Sequence, residues 1–283
     1  MRITRLGAGV DATGVLDSDA VGRTLAVLGD YARECSVHRV TRMRVTATSA
    51  ARDASNRDDF FEPATAMLGV EPELISGTEE ATLSFAGATS GRDRAGGPFL
   101  VVDIGGGSTE FVYGTTAPEA LLSLDIGCVR VTERYLEGDP PTPASLTRAA
   151  EAVDASLDAV PGTVPVGDAH ELVALAGTVT SVAALVAGLD AYDPAVTHGM
   201  RLSRADVEAA HARLAADGLA ARRGRLIEAE RADVIVGGTT ILVCTMRRFG
   251  FESAVVSEHD ILDGLAASVL AGAGHPIPGG GPR

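Results

Sequence analysis

Hydrophobic and polar positions follow two periods along this chain. Residues 17–35 place Val21, Leu25, Leu28 and Ala32 at helical spacing. Residues 40–47 instead alternate, with Met43, Val45 and Ala47 on one side and Arg42, Arg44 and Thr46 on the other, which predicts a strand with one buried face. Residues 49–68 read as a helix in two pieces, with Asn56 as N-cap of the second. A short strand at 74–76 follows, and Thr78 is placed to cap the next helix. Residues 99–103, FLVVD, form the continuous apolar run of a central strand, and 109–113 and 121–124 read as the second and third strands. Two helices are expected between Val129 and Val160, broken at Asp139-Pro140-Pro141. Beyond them come a strand at 171–176, helices at 178–189, 203–216 and 231–247, a strand at 254–256 and a last helix at 258–270. Strands and helices alternate throughout, so the predicted class is α/β.

The 283 residues suit two domains of roughly 100–200 residues each. The segment 92–98, RDRAGGP, mixes charge, glycine and proline and is the expected linker. Gly279, Gly280, Gly281 and Pro282 read as a frayed tail. The longest uncharged stretch, 172–189, contains Gly177, Thr178, Thr180, Ser181 and Gly188; it reads as strand, turn and helix rather than a membrane span. The first ten residues lack the apolar core of a signal peptide.

All 24 cationic residues are arginines, against 38 acidic residues, for a net charge of −14. Without lysine there is no Walker-A phosphate lysine, no pyridoxal-phosphate Schiff base and no lysine nucleophile. The acidic balance disfavours nonspecific binding to nucleic acid or anionic membrane, so neither is expected as a partner. A polyanionic substrate would need a local device: a metal, a backbone nest or an arginine. Cys35, Cys128 and Cys244 are odd in number and far apart, which points to reduced thiols and a cytoplasmic location rather than a disulfide or zinc framework. The six histidines show no ligand spacing, and there is no serine-hydrolase elbow.

The sharpest local signal is FLVVDIGGGSTEFVYG, residues 99–114. Alternation resumes after the glycines, so this is a hairpin and not the strand-to-helix entry of a dinucleotide fold. Gly105, Gly106 and Gly107 let backbone N–H groups converge on an anion, with Ser108 and Thr109 adding hydroxyls. Asp103 and Glu110 flank the turn. Two carboxylates beside a phosphate nest repel the phosphate unless a divalent cation lies between, which fits Mg²⁺ (or Mn²⁺) held by carboxylates and phosphate oxygens. The competing reading is a structural hairpin with solvated acids.

Several segments in order resemble the Ppx/GppA phosphatases (exopolyphosphatases and guanosine pentaphosphatases), within the actin-like superfamily of sugar kinases and heat-shock proteins. They are RLGAGVDATG from Arg5, ATSAARDASN from Ala47, ISGTEEATLSFAG from Ile75, VVDIGGGSTE from Val101, DIGCVRVTE from Asp125, LAGTVTSVAAL from Leu175, RADVIVGG from Arg231 and VSEHDILDG from Val256. The likeness is greatest to the actinobacterial exopolyphosphatase branch.

The resemblance implies two actin-like (ribonuclease H-like) domains with an interdomain cleft, at residues 1–97 and 98–270, with a flexible tail at 271–283. It implies Glu80 as the general base, with Glu79 as its neighbour. Asp103 and Glu110 would hold the metal or position the attacking water. Gly105 to Thr109 would form a phosphate loop, and Gly177 and Thr178 a second phosphate turn. Arg52 matches an arginine near the polyanion path; as a bare residue it reads equally as a surface ion pair. Arg231 lies in a matching motif without an assigned role.

The family pattern opens with a further strand–loop–strand phosphate hairpin, on the order of 20 residues at usual strand lengths. This sequence starts at the motif after it, so the first domain is expected to be N-terminally incomplete. The expected substrate is inorganic polyphosphate, with guanosine pentaphosphate (pppGpp) as the alternative and a catalytically impaired polyphosphate- or alarmone-binding protein as a third reading. A homodimer is an open expectation.

Overall fold

The structure, a computed structural model, describes residues 2–277. The chain divides into two compact units, Met1–Gly77 with Leu265–Arg283, and Thr78–Gly264. The expected tail residues from Gly279 onward lie outside the described residues. No helix among the described residues is long and apolar enough to cross a membrane.

In the first unit, helices Ser18–Val37 and Asp58–Leu68 share a core built from Val10, Leu16, Val21, Ala54, Phe60 and Ala64. Asp17 caps the longer helix by accepting from Ala20 N at 2.9 Å. Asn56 is not the N-cap expected of it: Arg57 takes that place, while the Asn56 amide clasps Leu16 N and O at 2.7 and 3.1 Å. The strand expected over 40–47 is split between two partners. Arg42–Met43 pairs antiparallel with His275–Pro276, and Thr46–Ala47 pairs parallel with Glu73–Leu74. Residues 275–276 of the expected tail are therefore part of this unit. Arg44 is buried against Glu73 at 2.6 Å and holds that carboxylate below its usual range.

The second unit is built on a six-stranded sheet. Its order is Pro118–Leu124, Thr109–Gly114, Phe99–Ile104, Glu171–Leu175, Ser253–Val256, Arg201–Ser203. The three strands 99–104, 171–175 and 253–256 run parallel, and the other three pair antiparallel with their neighbours. Burial on both faces explains the uninterrupted apolar reading of 99–104. Leu100, Val102 and Ile104 enter the larger core with Phe111, Leu172, Val179 and Ile241. Phe99 and Val101 face the other way, against Ala81, Phe85 and Ala88 of helix Gly77–Thr89.

That packing puts residues 78–89 in the second unit, whereas the linker composition places a boundary at Gly97/Pro98. Segment 92–98 is pinned: Arg92 pairs with Glu171 at 3.0 Å, and His170 N donates to Pro98 O at 2.8 Å. Thr78 lies within helix Gly77–Thr89 rather than capping it. The helix expected from Arg231 begins at Ile235, preceded by a short turn at Ala229–Arg231. Edge strand Arg201–Ser203 and helix Leu219–Arg225 were not anticipated from the pattern.

Candidate active site

The site grows from the end of the central strand. Asp103 and Glu110 are register partners across the hairpin, so both side chains leave the sheet on one face. It is the face of Phe99 and Val101, the one covered by helix Gly77–Thr89. That helix presents Glu80 and, one turn on, Ser84; both are buried. Glu79, beside Glu80, is only partly buried. Ser84 Oγ donates to Asp103 Oδ2 at 2.6 Å, and Ser123 Oγ donates to Glu110 Oε1 at 2.8 Å.

Burial pushes the Asp103 carboxyl up to about 7; Glu80 and Asp260 push the same way, and the Ser84 hydrogen bond opposes them. Glu110 is driven well above the carboxylate range by burial, then by Asp103 and Glu80, against hydrogen bonds from Ser108 and Ser123. Glu80 thus acts on both buried carboxyls, and Asp260 on Asp103.

The glycine turn is oriented by the helix that follows it. Cys128 N donates to Gly105 O at 2.9 Å, and Val129 N donates to Gly106 O at 2.9 Å. These are orphan donors of the first turn of helix Cys128–Tyr135. A trans peptide carries its N–H opposite its C=O, so the N–H groups of Gly106 and Gly107 point away from that helix. Neither makes a hydrogen bond among the described residues. Both amides are thus left to donate outward from the turn. Gly127 permits it: a Cβ there would lie 2.3 Å from Gly106 O and 2.4 Å from Gly106 C. Thr109 Oγ1 already donates to Ile126 O at 2.5 Å, so that hydroxyl braces the loop.

A second turn joins strand Glu171–Leu175 to helix Ala176–Ala187. Ala176 has φ 70°, a left-handed conformation that a residue with a Cβ seldom adopts. Gly177 lies under the Arg231 guanidinium; a Cβ there would sit 1.4 Å from Nη1. Arg231 Nε also donates to Glu228 Oε2 at 2.6 Å. Thr178 is buried against Gly238, where a Cβ would meet its Oγ1 at 2.1 Å. Arg52 belongs to the first unit, where its Nη1 donates to Ile75 O at 2.9 Å.

The sequence singles out Glu80, Asp103, Glu110 and the glycine turn, which the structure brings together; it does not single out Ser84, Ser123, Gly127, Ala176 or Asp260, which pack around them or line the second turn. Ser84 had a readable signal: a serine one turn after Glu80, amid the apolar face of Ala81, Phe85 and Ala88. Ser123 had a weaker one, since it is the register partner of Glu110.

Among the described residues no three His, Cys, Asp or Glu side chains gather closely enough to hold a metal by themselves, so the pair Asp103 and Glu110 fits a hard divalent cation that takes its other ligands from phosphate and water. Asp103 and Glu110 are buried together with no arginine ion-paired to either among the described residues, and Asp103 Oδ1 makes no hydrogen bond there. Like-charged carboxyls that resist ionisation when alone gain most from a cation between them.

A mycobacterial relative, exopolyphosphatase 2 of Mycobacterium tuberculosis, is 45% identical over 96% of this chain and 88% of its own length. A crystal structure of an exopolyphosphatase-like protein superposes with a TM-score of 0.92 at 39% identity, over 95% of this chain and 89% of the other. The Aquifex aeolicus Ppx/GppA enzyme superposes with a TM-score of 0.77 at 32% identity, over 94% and 88%. The profile of the Ppx/GppA phosphatase family matches residues 1–271, and the chain belongs to that family.

Proposed function

We propose that this chain is an exopolyphosphatase that hydrolyses the terminal phosphoanhydride of inorganic polyphosphate and releases orthophosphate. The observation that carries the reading is the convergence of Glu80, Asp103 and Glu110 beside the outward-facing amides of Gly106 and Gly107. Glu80 accepts a proton from the attacking water as its oxygen bonds to the terminal phosphorus and the bridging P–O bond breaks. The Gly106 and Gly107 N–H groups bind the phosphoryl oxygens. Asp103 and Glu110 would hold Mg²⁺, which when bound neutralises charge on those oxygens. Gly177 and Thr178 are read as a further phosphate turn, and the Arg231 guanidinium packed over Gly177 suits bidentate phosphate binding there. Arg52 is assigned to the polyanion on its sequence motif alone.

The sheet order of the second unit, with its antiparallel hairpin beside three parallel strands, supports reading that unit as an actin-like domain; the first unit is assigned to the same class on the family resemblance alone. One observation favours the alternative substrate, pppGpp. A cavity of about 230 Å³ lies along helix Ala176–Ala187, walled by Ala184, Leu185 and Leu226. Ser181 Oγ, buried at its edge, has no hydrogen-bond partner among the described residues. The apolar residues suit a nucleobase, and Arg213 and Arg225 beside them, with Asp190 and Glu228, make the lining a mixed one that suits a nucleotide.

Orthophosphate release from polyphosphate and from pppGpp, each with Mg²⁺, tests the assignment. Faster release from polyphosphate is expected. Release from pppGpp alone would move the activity to the nucleotide, and binding without release from either would mark a binding protein.

A further inference from the structure

Ser84 has an unusual attachment for a helical hydroxyl residue. Serine and threonine inside helices commonly donate back to the carbonyl one turn earlier. Two neighbours on helix Gly77–Thr89 do so: Thr82 Oγ1 donates to Thr78 O at 2.8 Å, and Thr89 Oγ1 to Phe85 O at 2.7 Å. Ser84 instead reaches out of its helix to Asp103 Oδ2 at 2.6 Å, with no exposed surface of its own.

The helix that carries it has little freedom to slide. A Cβ at Gly87 would lie 1.9 Å from Asp260 O, and one at Gly264 would lie 2.1 Å from Leu83 O. Backbone meets backbone on either side of Ser84, so the hydroxyl is delivered from a fixed position. One oxygen of Asp103 is thereby held, and the other, Oδ1, makes no hydrogen bond among the described residues. Ser123 repeats the device on Glu110, holding Oε1 from the neighbouring strand.

We infer that Ser84 is a positioning residue: its hydroxyl fixes the Asp103 carboxylate so that Oδ1 faces a divalent cation. The inference rests on the reading of Asp103 as a metal carboxylate. Outer hydrogen-bond partners of metal ligands typically contribute about 10–100-fold in metal affinity. Ser84 therefore acts on the metal through Asp103, while Glu80, one turn earlier on the same helix face, acts on the water.

The test is Mn²⁺ binding to the intact chain, read from the paramagnetic resonance signal of free Mn²⁺. Wild type, Asp103→Asn, Ser84→Ala and Ser84→Cys are compared, with Ser145→Ala as a buried-serine control remote from the carboxylates. Ser84→Ala is expected to weaken Mn²⁺ binding by about 10–100-fold. Ser84→Cys, which keeps a donor, should recover part of the loss, and Ser145→Ala should bind as wild type. At saturating Mn²⁺ the Ser84→Ala turnover should return toward wild type, because only the cation's seat has changed. Wild-type affinity in Ser84→Ala beside a loss in Asp103→Asn would overturn the role of Ser84 alone. Unchanged affinity in Asp103→Asn would overturn the metal assignment and the inference together. Should Ser84→Ala melt early, Ser84→Cys decides: Mn²⁺ affinity equal to wild type would refute the role, and an affinity below wild type in a variant of wild-type stability supports it.

Discussion

Asp103 and Glu110 stand opposite each other in register on neighbouring antiparallel strands, and both carboxyl groups are buried. Residues directly opposite in such a pair hold their Cβ atoms about 4.5–5.5 Å apart, where like charges destabilise the sheet. The fold keeps this liability beside a glycine turn whose amides face outward. Asp103 and Glu110, buried with no arginine ion-paired to either among the described residues, suit a site organised around a cation and an anion that arrive together.

The first consequence is a pH dependence of stability. The folded-state pKa of Asp103 is raised to about 7, so between the usual carboxylate range and that value the folded chain binds more protons than the unfolded one. This contribution is fully present at low pH and is lost as pH rises through about 7. Asp103→Asn removes it. In metal-free buffer, the melting temperature of Asp103→Asn minus that of wild type should be small near pH 4.5 and grow by several degrees toward pH 8. A difference that stays constant with pH would count against the buried, uncompensated carboxyl.

Gly127 and Gly177 are crowded for different reasons, and their alanine variants should separate stability from binding. At Gly127 the obstacle is the Gly106 backbone, which cannot move without unseating the turn. Gly127→Ala should cost roughly 1–3 kcal/mol by denaturant titration and reduce turnover at every substrate concentration. An alanine variant with wild-type stability would show that the turn is not seated on that helix.

At Gly177 the obstacle is the end of a flexible arginine side chain. Gly177→Ala should leave the melting temperature near wild type and displace Arg231, raising KM for polyphosphate more than it lowers kcat. An unchanged KM would remove Arg231 and Gly177 from the phosphate contact.

Ala176 carries its strain openly, with φ 70° at the strand-to-helix turn. Glycine adopts that conformation without the Cβ penalty of about 1–2 kcal/mol, although it loses more entropy on folding. Ala176→Gly should therefore leave the protein as stable or up to about 1 kcal/mol more stable. Destabilisation on denaturant titration would mean the Ala176 side chain packs better than its backbone conformation implies.

Much of this was legible in the sequence, and the limits have physical causes. The hairpin from Phe99 to Gly114 is readable because a continuous apolar run, consecutive glycines and a resumed alternation follow one another directly. Glu80 needed the family resemblance, since two acids at a helix start are ordinary. The strand expected over 40–47 failed because its halves find different partners, which alternation cannot encode. Asn56 was misread because its amide serves Leu16, far away in sequence. Gly127 and Ser84 act through contacts between elements distant in the chain, and only the packing brings those elements together.

The most direct test of the whole account is Mg²⁺-dependent orthophosphate release from polyphosphate by this chain, with Glu80→Gln assayed beside it. Removing a general base should lower kcat by about 10²–10⁴-fold, with the melting temperature of Glu80→Gln close to wild type. Release by wild type that Glu80→Gln nearly abolishes is the predicted result. Equal release by both would contradict the assignment of Glu80, and no release by wild type would contradict the proposed activity.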